Sequence, residues 1–535
     1  MDEELIIYTH HHYKESIDRA LNIVKDYIQC NQLILVGGMA MDLALRTKGL
    51  NIYEDDALPD YDIISDVNID HAQALGKILC KEGFENVQIV PAVHVTTMRV
   101  KYRDAVILDA TYVPTSVYQK IPILQVGAFR VIHPNFQKID QRNSLSFLME
   151  KTGPSHNIFN RMVKDVTRNK ILRSVFELET NPTYITKKTN TIQIDMDVLT
   201  YNNPSNKLKI FELSNVIYEE SPIRFKNNKN INIQLNQYLE TNHDICIHGF
   251  VAYALLNYVY KQTAQKIINH KDMMDPLDYS QFLEKQKNII HSHAKIINIK
   301  GRDHLVCSIP IGESISFLNS NNHIDDIVKF IESHYKVFDI EKFNRLLEIR
   351  PITTKIHTSL YPIEITDLFG RLLSVNTVQI HDYTLFISNY NYILAYFLYN
   401  HFIYNDEQTD AYAKYYESLI QMIESIESIH EKYPDTFQQI TGMEYTSSPF
   451  FVSINTFGKA NYHDSYYYYL ENFRNRVKEH KNSSLRPFPS YPNPPDCELT
   501  NKVFERDQSH YFQIDGQKNN SIQHTNMSHL LSNRL

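Results

Sequence analysis

The chain of 535 residues has no tryptophan and only 14 glycines, against 36 tyrosines. With its many Asn, Ile and Lys, this is the skew that AT-rich coding produces, and it constrains the genome more than the chemistry. Cysteine is scarce as well: the five, at positions 30, 80, 246, 307 and 497, form an odd set with no CxxC pair and no zinc spacing. That speaks against a disulfide scaffold and fits free thiols in a reducing compartment. No apolar run approaches the roughly eighteen residues that a membrane helix needs. The first residues, Met1 to Ile7, are acidic where a secretory leader would be basic ahead of an apolar stretch, so no leader is expected. Positive charge does not dominate either, since 54 Lys and Arg against 62 Asp and Glu leave a net charge of −8. A protein held to nucleic acid through phosphates alone is usually basic. Any nucleic-acid surface here must be a local patch on an acidic body.

What is present is ordinary for a folded protein, with 43% apolar and 22% charged residues. The length predicts two or three domains. Ile17, Leu21, Val24 and Ile28 recur at helical spacing across 13–29. Leu33-Ile34-Leu35-Val36 reads as a buried strand ended by Gly37-Gly38, and Met39 to Lys48 as a short helix capped by Gly49. An acidic loop over 50–59 closes at Pro59. Asp60 to Ile64 is a second strand, His71 to Lys81 a helix stopped by Gly83, and 93–102 with 105–113 a hairpin about Arg103-Asp104. A long basic helix spans 156–180. This order describes an α/β sheet covered on one face.

Three features in this stretch carry chemistry. Gly37-Gly38, between a strand and a helix, lets a ligand approach the backbone while the helix offers unpaired N–H groups and a positive dipole end, a fit for triphosphate oxygens. In Pro59-Asp60-Tyr61-Asp62-Ile63 the two carboxylates point to one face of a strand. Such a pair repels unless something neutralises it, as a divalent metal does. Asp109 lies in the apolar run Val106-Ile107-Leu108-Asp109-Ala110-Thr111, where an acid is costly to bury without a partner; with Asp60 and Asp62 it completes a set of carboxylates. Asp55, Asp56 and Asp104 lie in turn or loop contexts and need no such explanation.

An apolar residue with Gly-Gly, then Asp-x-Asp, then a lone Asp on a later strand resembles the pattern of the polymerase β-type nucleotidyltransferases. Among these the chain looks most like the poly(A) polymerase catalytic subunits of large cytoplasmic DNA viruses: poxviruses, asfarviruses and mimivirus relatives. The resemblance covers 33–113, loosens through 180 and fades beyond. It departs from the compact members in the long interval between Gly38 and Asp60, which makes 47–58 an inserted loop.

The resemblance implies an α/β (α+β) fold, with a polymerase β-like nucleotidyltransferase domain of mixed sheet and helices followed by a second, degenerate one. It implies template-independent addition of AMP from ATP to RNA 3′ ends, with release of pyrophosphate. Two Mg2+ or Mn2+ ions would be held by Asp60, Asp62 and Asp109, and the β- and γ-phosphates by Gly37 and Gly38. The expected partners are the RNA 3′ end, ATP, and either a second copy or a processivity subunit, with no membrane. The expected location is cytoplasmic, in a viral factory or virion. Two other readings stand beside it: a nucleotidyltransferase of the same fold with another nucleotide or acceptor, and a non-catalytic RNA-binding protein that kept the fold.

Arg161, Lys164 and Arg168 share one helical face; they could meet the triphosphate or the RNA backbone, or form a solvated basic face. Cys246 to Ala252 echoes the Gly37-Gly38 turn with one glycine kept, and the acids after it are Asp275, Asp278 and Asp367. The expected division is an N-terminal helical segment at 1–32, a catalytic domain at 33–181 and a bridge at 182–240. A second nucleotidyltransferase-like, RNA-holding domain at 241–480 follows, then a polar tail at 481–535, which lacks the apolar surface to order itself. His291 and His293 lack carboxylate or cysteine partners. His10-His11-His12 reads as a flexible polar terminus sooner than a metal site, and Tyr466-Tyr467-Tyr468-Tyr469 as side chains divided between core and surface sooner than a base-stacking platform.

Overall fold

The apolar runs and the glycines that stop them build the first half of the chain. The computed structural model describes residues 13–54, 60–92, 97–103, 105–113, 115–147 and 155–178, the strands 189–195, 212–213 and 231–232, and residues 245–457 except for 288, 290–293, 311–312, 320–327, 330, 333–335, 345–351, 359–361, 369–372, 404–408, 444–447 and 452–455. The acids Asp55, Asp56 and Asp104, the histidine and tyrosine clusters and the segment 481–535 lie outside the described residues, as do the side chains of 155–163, Arg161 included.

Helix α1 (Lys14–Cys30) buries Ile17, Leu21, Val24 and Ile28, the stripe that the spacing predicts. Strand β1 (Ile34–Val36) leads into α2 (Gly37–Arg46), so the helix begins on the glycines themselves and not at Met39. It ends where Gly49, at φ +75°, turns the chain back. Strand β2 (Tyr61–Ser65) and α3 (Asn68–Lys81) follow, then β3 (Val87–Pro91), β4 (Thr97–Tyr102) and β5 (Ala105–Tyr112). Strands β6 (Ile123–Val126) and β7 (Phe129–Ile132), and helices α4 (Pro134–Ser146) and α5 (Ser155–Val175), complete this half. The sheet runs β3-β4-β5-β2-β1-β7-β6 and is mixed: β1 is antiparallel to β2 and parallel to β7, and β2 is parallel to β5. Helix α1 packs on β5 and α3 on β3, β4 and β5.

The bridge contributes β8 (Thr189–Asp195), which joins a three-stranded sheet with β10 (Ala294–Ile299) and β11 (Arg302–Pro310) of the second half. That half holds β9 (Ile245–His248), α6 (Gly249–Asn269), α7 (Pro276–Gln286), β12 (Ile315–Asn319), β13 (Val337–Asn344), β14 (Ile352–Thr358), β15 (Pro362–Asp367), β16 (Leu373–Ile380) and β17 (Tyr383–Ser388). It continues with α8 (Tyr390–Ile403), α9 (Thr409–Lys432), α10 (Pro434–Thr441) and a short β18 (Thr456–Phe457).

Its sheet runs β13-β14-β15-β12-β9-β17-β16-β18 and repeats the first, position by position and direction by direction, before the extra β18. Strand β9 is antiparallel to β12 and parallel to β17, as β1 is to β2 and β7. Strand β12 is parallel to β15, as β2 is to β5.

The two halves share one apolar core. Helices α4 and α8, which occupy equivalent places after β7 and β17, pack on each other. Phe136 meets Phe402 with ring centroids 5.6 Å apart, and Phe147 meets Tyr392 at 5.6 Å. Arg142 donates to Asn391 Oδ1 at 2.8 Å, and Arg173 of α5 pairs with Glu417 and Glu424 of α9. Among the described residues no helix is long and apolar enough to cross a membrane. Among the described residues the thiols of Cys30, Cys246 and Cys307 are free, as expected.

Candidate active site

The site is built where β1 hands over to α2. Gly37 sits at φ +71°, a left-handed conformation that costs other residues energy. A Cβ on Gly37 would lie 2.1 Å from Asp62 Oδ2. The first glycine is thus required by the carboxylate that packs against it. Gln137 of α4 fixes the same turn by donating to the Gly37 carbonyl at 2.6 Å.

Backbone register sets the acids side by side. Val36 pairs with Asp62, and Asp62 with Asp109 on the parallel strand β5. Asp60, just ahead of β2, is open to solvent at the lip of the sheet. It is crowded on its other sides, which raises its carboxyl above the usual range, by displaced water first and the charge of Asp109 second. Burial pushes the Asp62 carboxyl well up, and the charges of Asp60 and Asp109 add to that. The three expected carboxylates are therefore close enough to feel one another.

Arg99, which sequence reasoning missed, answers part of this charge. It lies opposite Asp109 across the β4–β5 pair and donates from Nε to Oδ1 at 2.8 Å and from Nη2 to Oδ2 at 2.6 Å. That bidentate pairing raises the guanidinium pKa further. A signal existed in the arginine of Thr97-Met98-Arg99-Val100, an apolar strand. The β4–β5 pair, however, shifts register between Val100 and Lys101. Counting back from the turn without that shift sets Arg99 against Leu108.

The second glycine faces something else. A Cβ on Gly38 would stand 2.1 Å from the hydroxyl oxygen of Tyr53, in the inserted stretch before β2. Buried Asp42 of α2 ties that stretch down by accepting from the N–H groups of Ile52 at 2.8 Å and Tyr53 at 3.0 Å. Arg46 donates to the Tyr53 carbonyl at 3.0 Å. From α5, Arg168 donates to the Tyr53 hydroxyl at 3.1 Å, and the charge of Lys164 offsets a small part of the rise at Asp60. Two of the three expected basic residues therefore face the site; the side chain of Arg161 lies outside the description.

The second half places different residues at the matching positions. His248 pairs with Ser316, and Ser316 with Glu364, so serine stands where the first half has Asp62 and glutamate where it has Asp109. Ser314, two residues before Ser316, matches Asp60. Lys355 lies opposite Glu364 as Arg99 does opposite Asp109. Ser314 and Ser316 donate to the Glu364 carboxylate at 3.1 and 3.4 Å. The kept glycine is Gly249, at φ +64°, and buried Phe250 takes the place of Gly38. The acids named from sequence sit elsewhere: Asp275 caps α7, Asp278 pairs with Lys432, and Asp367 ends β15 opposite Asn319. They missed because strand register, which aligns Glu364, is not visible in acid spacing.

The donor set of the first half suits a hard divalent cation, since carboxylate oxygens are the ligands such ions take. The raised carboxyls of Asp60 and Asp62 are the uncompensated charge that a cation would settle. Among the described residues no three ligating side chains are gathered into a closed metal cage as they stand. Both oxygens of Asp109 point to Arg99.

Residues 22–151 match the family model of the poly(A) polymerase catalytic subunit. An African swine fever virus protein provisionally named poly(A) polymerase catalytic subunit (isolate Tick/South Africa/Pretoriuskop) is 33% identical over 178 residues, covering 33% of this chain and 37% of that protein. An Acanthamoeba polyphaga mimivirus protein of the same provisional name is 27% identical over 122 residues, 22% of this chain and 21% of its own. The match thus spans little more than a third of the swine fever virus protein's length and about a fifth of the mimivirus protein's. The solved structure of the Megavirus polyadenylate synthase shares the fold, with a TM-score of 0.53 and 16% identity over 89% of this chain and 80% of that one. Over residues 22–151 the chain therefore matches the poly(A) polymerase catalytic subunit family, and the matched stretch holds Gly37, Gly38, Asp60, Asp62 and Asp109, the residues on which the resemblance rests.

Proposed function

We propose that this chain is a template-independent poly(A) polymerase that transfers AMP from ATP to RNA 3′ ends and releases pyrophosphate. The observation that carries the proposal is Asp62, set against Gly37 at the strand–helix turn and level with Asp109 on the next strand, within the stretch that matches the family. Asp60 and Asp62 would hold the divalent metal, two Mg2+ ions in our reading, and Asp109 would join them by sharing its carboxylate with Arg99 or releasing it. Bound there, the metal supplies a lowered pKa for the 3′-hydroxyl and a counter-charge for the departing pyrophosphate. The chain's own residues do the rest. Gly37 and the first turn of α2 orient the phosphates, Lys164 and Arg168 offset their charge, and Arg99 keeps Asp109 aligned with Asp62.

The second half keeps the sheet but has serine at the places of Asp60 and Asp62, leaving Glu364 as the single matching acid, and we read it as a silent copy that braces the first through α4 and α8 and helps hold RNA. A second copy or a processivity subunit as partner, and a cytoplasmic viral site of action, belong to the same proposal. Labelled RNA incubated with the protein, Mg2+ and each NTP in turn tests it. Tailing with ATP alone is expected; tailing with another nucleotide, or none with any, would favour the alternatives.

A further inference from the structure

The volume over Gly38 is filled by one side chain. The hydroxyl oxygen of Tyr53 lies 2.1 Å, and its Cζ 3.1 Å, from where a Cβ on Gly38 would be. The same hydroxyl accepts from Arg168 Nη2 at 3.1 Å, and the Arg168 guanidinium lies 5.7 Å from the ring centroid. The glycine face at the start of α2 and the cation of α5 are the two features a triphosphate would use, and a single phenol engages both. We propose that Tyr53 is a substrate-handling residue, whose phenol competes with the phosphates of a nucleoside triphosphate for the space over Gly38 and must swing aside for them to bind. The proposal rests on the nucleotidyltransferase reading above.

The backbone geometry says how it moves. Asp42 holds the N–H groups of Ile52 and Tyr53, and the Tyr53 carbonyl accepts from Arg46 and, at 2.8 Å, from Asn51. The Cα of Tyr53 is pinned on both sides, so the phenol leaves by rotation about its own side-chain bonds while the stretch that carries it stays in place. The exchange favours phosphate, because an arginine binds a charged oxygen more strongly than a neutral hydroxyl. The second half supports the assignment. There the Gly38 position is Phe250, a fully buried side chain that closes the turn for good. The first half instead keeps a glycine, and covers it with the far end of a side chain that can leave.

Titration of MgATP into the full-length protein by calorimetry, without RNA, tests this for wild type, Tyr53→Phe and Tyr53→Ala. Tyr53→Phe keeps the ring and its packing but loses the hydrogen bond to Arg168. It is expected to bind MgATP roughly two- to tenfold more tightly, the range that one such hydrogen bond is worth. Tyr53→Ala is expected to gain at least as much. A purely structural role for Tyr53 cannot produce tighter binding. Unchanged or weaker binding in Tyr53→Phe, with wild type binding normally, would overturn the proposal and make Tyr53 a support for the bound nucleotide or a bystander. A wild type that binds no MgATP at all would overturn the nucleotidyltransferase reading, and this proposal with it.

Discussion

The guanidinium of Arg99 grips both oxygens of Asp109, with Nε 2.8 Å from Oδ1 and Nη2 2.6 Å from Oδ2. Asp109 is thus the one acid of the three with a fixed cationic partner in the described structure. Asp109→Asn keeps the size of the side chain but removes that ion pair and one charge from the site. The chemical step should fall by about two or more powers of ten, while MgATP still binds through Asp60 and Asp62. The loss of a charged hydrogen-bonded pair should also lower metal-free stability by about 1–3 kcal/mol. Single-turnover extension and thermal melting check the two halves. An ordinary rate of extension would remove Asp109 from the site.

Asp62 should behave in the opposite sense. Burial, Asp60 and Asp109 raise its carboxyl well above the usual range, so the native chain holds a proton that the unfolded chain has released. The sign follows from linkage: metal-free stability falls as pH rises from the ordinary carboxylate range, about 4, through the raised native value. Asp62→Asn should abolish activity, flatten that fall and raise the melting temperature at neutral pH. Metal binding by wild type should expel protons and tighten with pH. Calorimetry in two buffers of different ionisation enthalpy counts those protons; a count of zero would contradict the raised carboxyl.

The two glycines should separate. An alanine at Gly37 must adopt a left-handed φ, at a cost of about 1–3 kcal/mol, and its methyl would displace the Asp62 carboxylate. At Gly38 the obstacle is the end of the Tyr53 side chain, which can rotate away. Gly37→Ala should therefore abolish extension and destabilise the fold, and Gly38→Ala should do neither to the same degree. The bulkier Gly38→Val should weaken ATP binding far more than RNA binding. Melting curves with paired ATP and RNA titrations decide it; equal loss of both affinities in Gly38→Val would make the turn merely structural.

The strands that carry the acids were legible because they are short apolar runs broken by acids and glycines. Leu33 to Val36 and Val106 to Thr111 fall where the sequence puts them. Arg99 was not legible, because a register shift brings it opposite Asp109. Tyr53 was not, because it reaches Gly38 from a stretch whose course depends on Asp42 and Arg46. Helix α4 escaped for a different reason. Gln137, Lys138, Gln141 and Asn143 are all buried, so no polar face marks its period. The second half of the molecule covers it, and a burial caused by a partner element leaves no amphipathic trace.

Lys138 is the sharpest case, and it gives a pH test away from the acids. Its Nζ donates to Asn135 Oδ1 at 2.6 Å and to the Phe176 carbonyl at 2.9 Å, and burial pushes its pKa down to about 7. The unfolded chain takes up this proton at the ordinary lysine value, about 10.4, before the native one does. Stability should therefore rise as pH climbs from about 7 toward that value, and fall on the way back. Lys138→Met should flatten the profile. A melting temperature with the same slope in both proteins over that window would contradict it.

We assign the chemistry to the first sheet alone, at Asp60, Asp62 and Asp109, and none to the matching positions of the second sheet. Extension of a 5′-labelled RNA by ATP and Mg2+, run side by side for wild type, Asp62→Ala and Ser316→Ala, measures it directly, because Ser316 occupies in the second sheet the place of Asp62 in the first. Asp62→Ala is expected to add no adenylate while folding normally, and Ser316→Ala to extend the RNA much as wild type does. Near-normal tailing by Asp62→Ala, or loss of tailing in a well-folded Ser316→Ala, would contradict it.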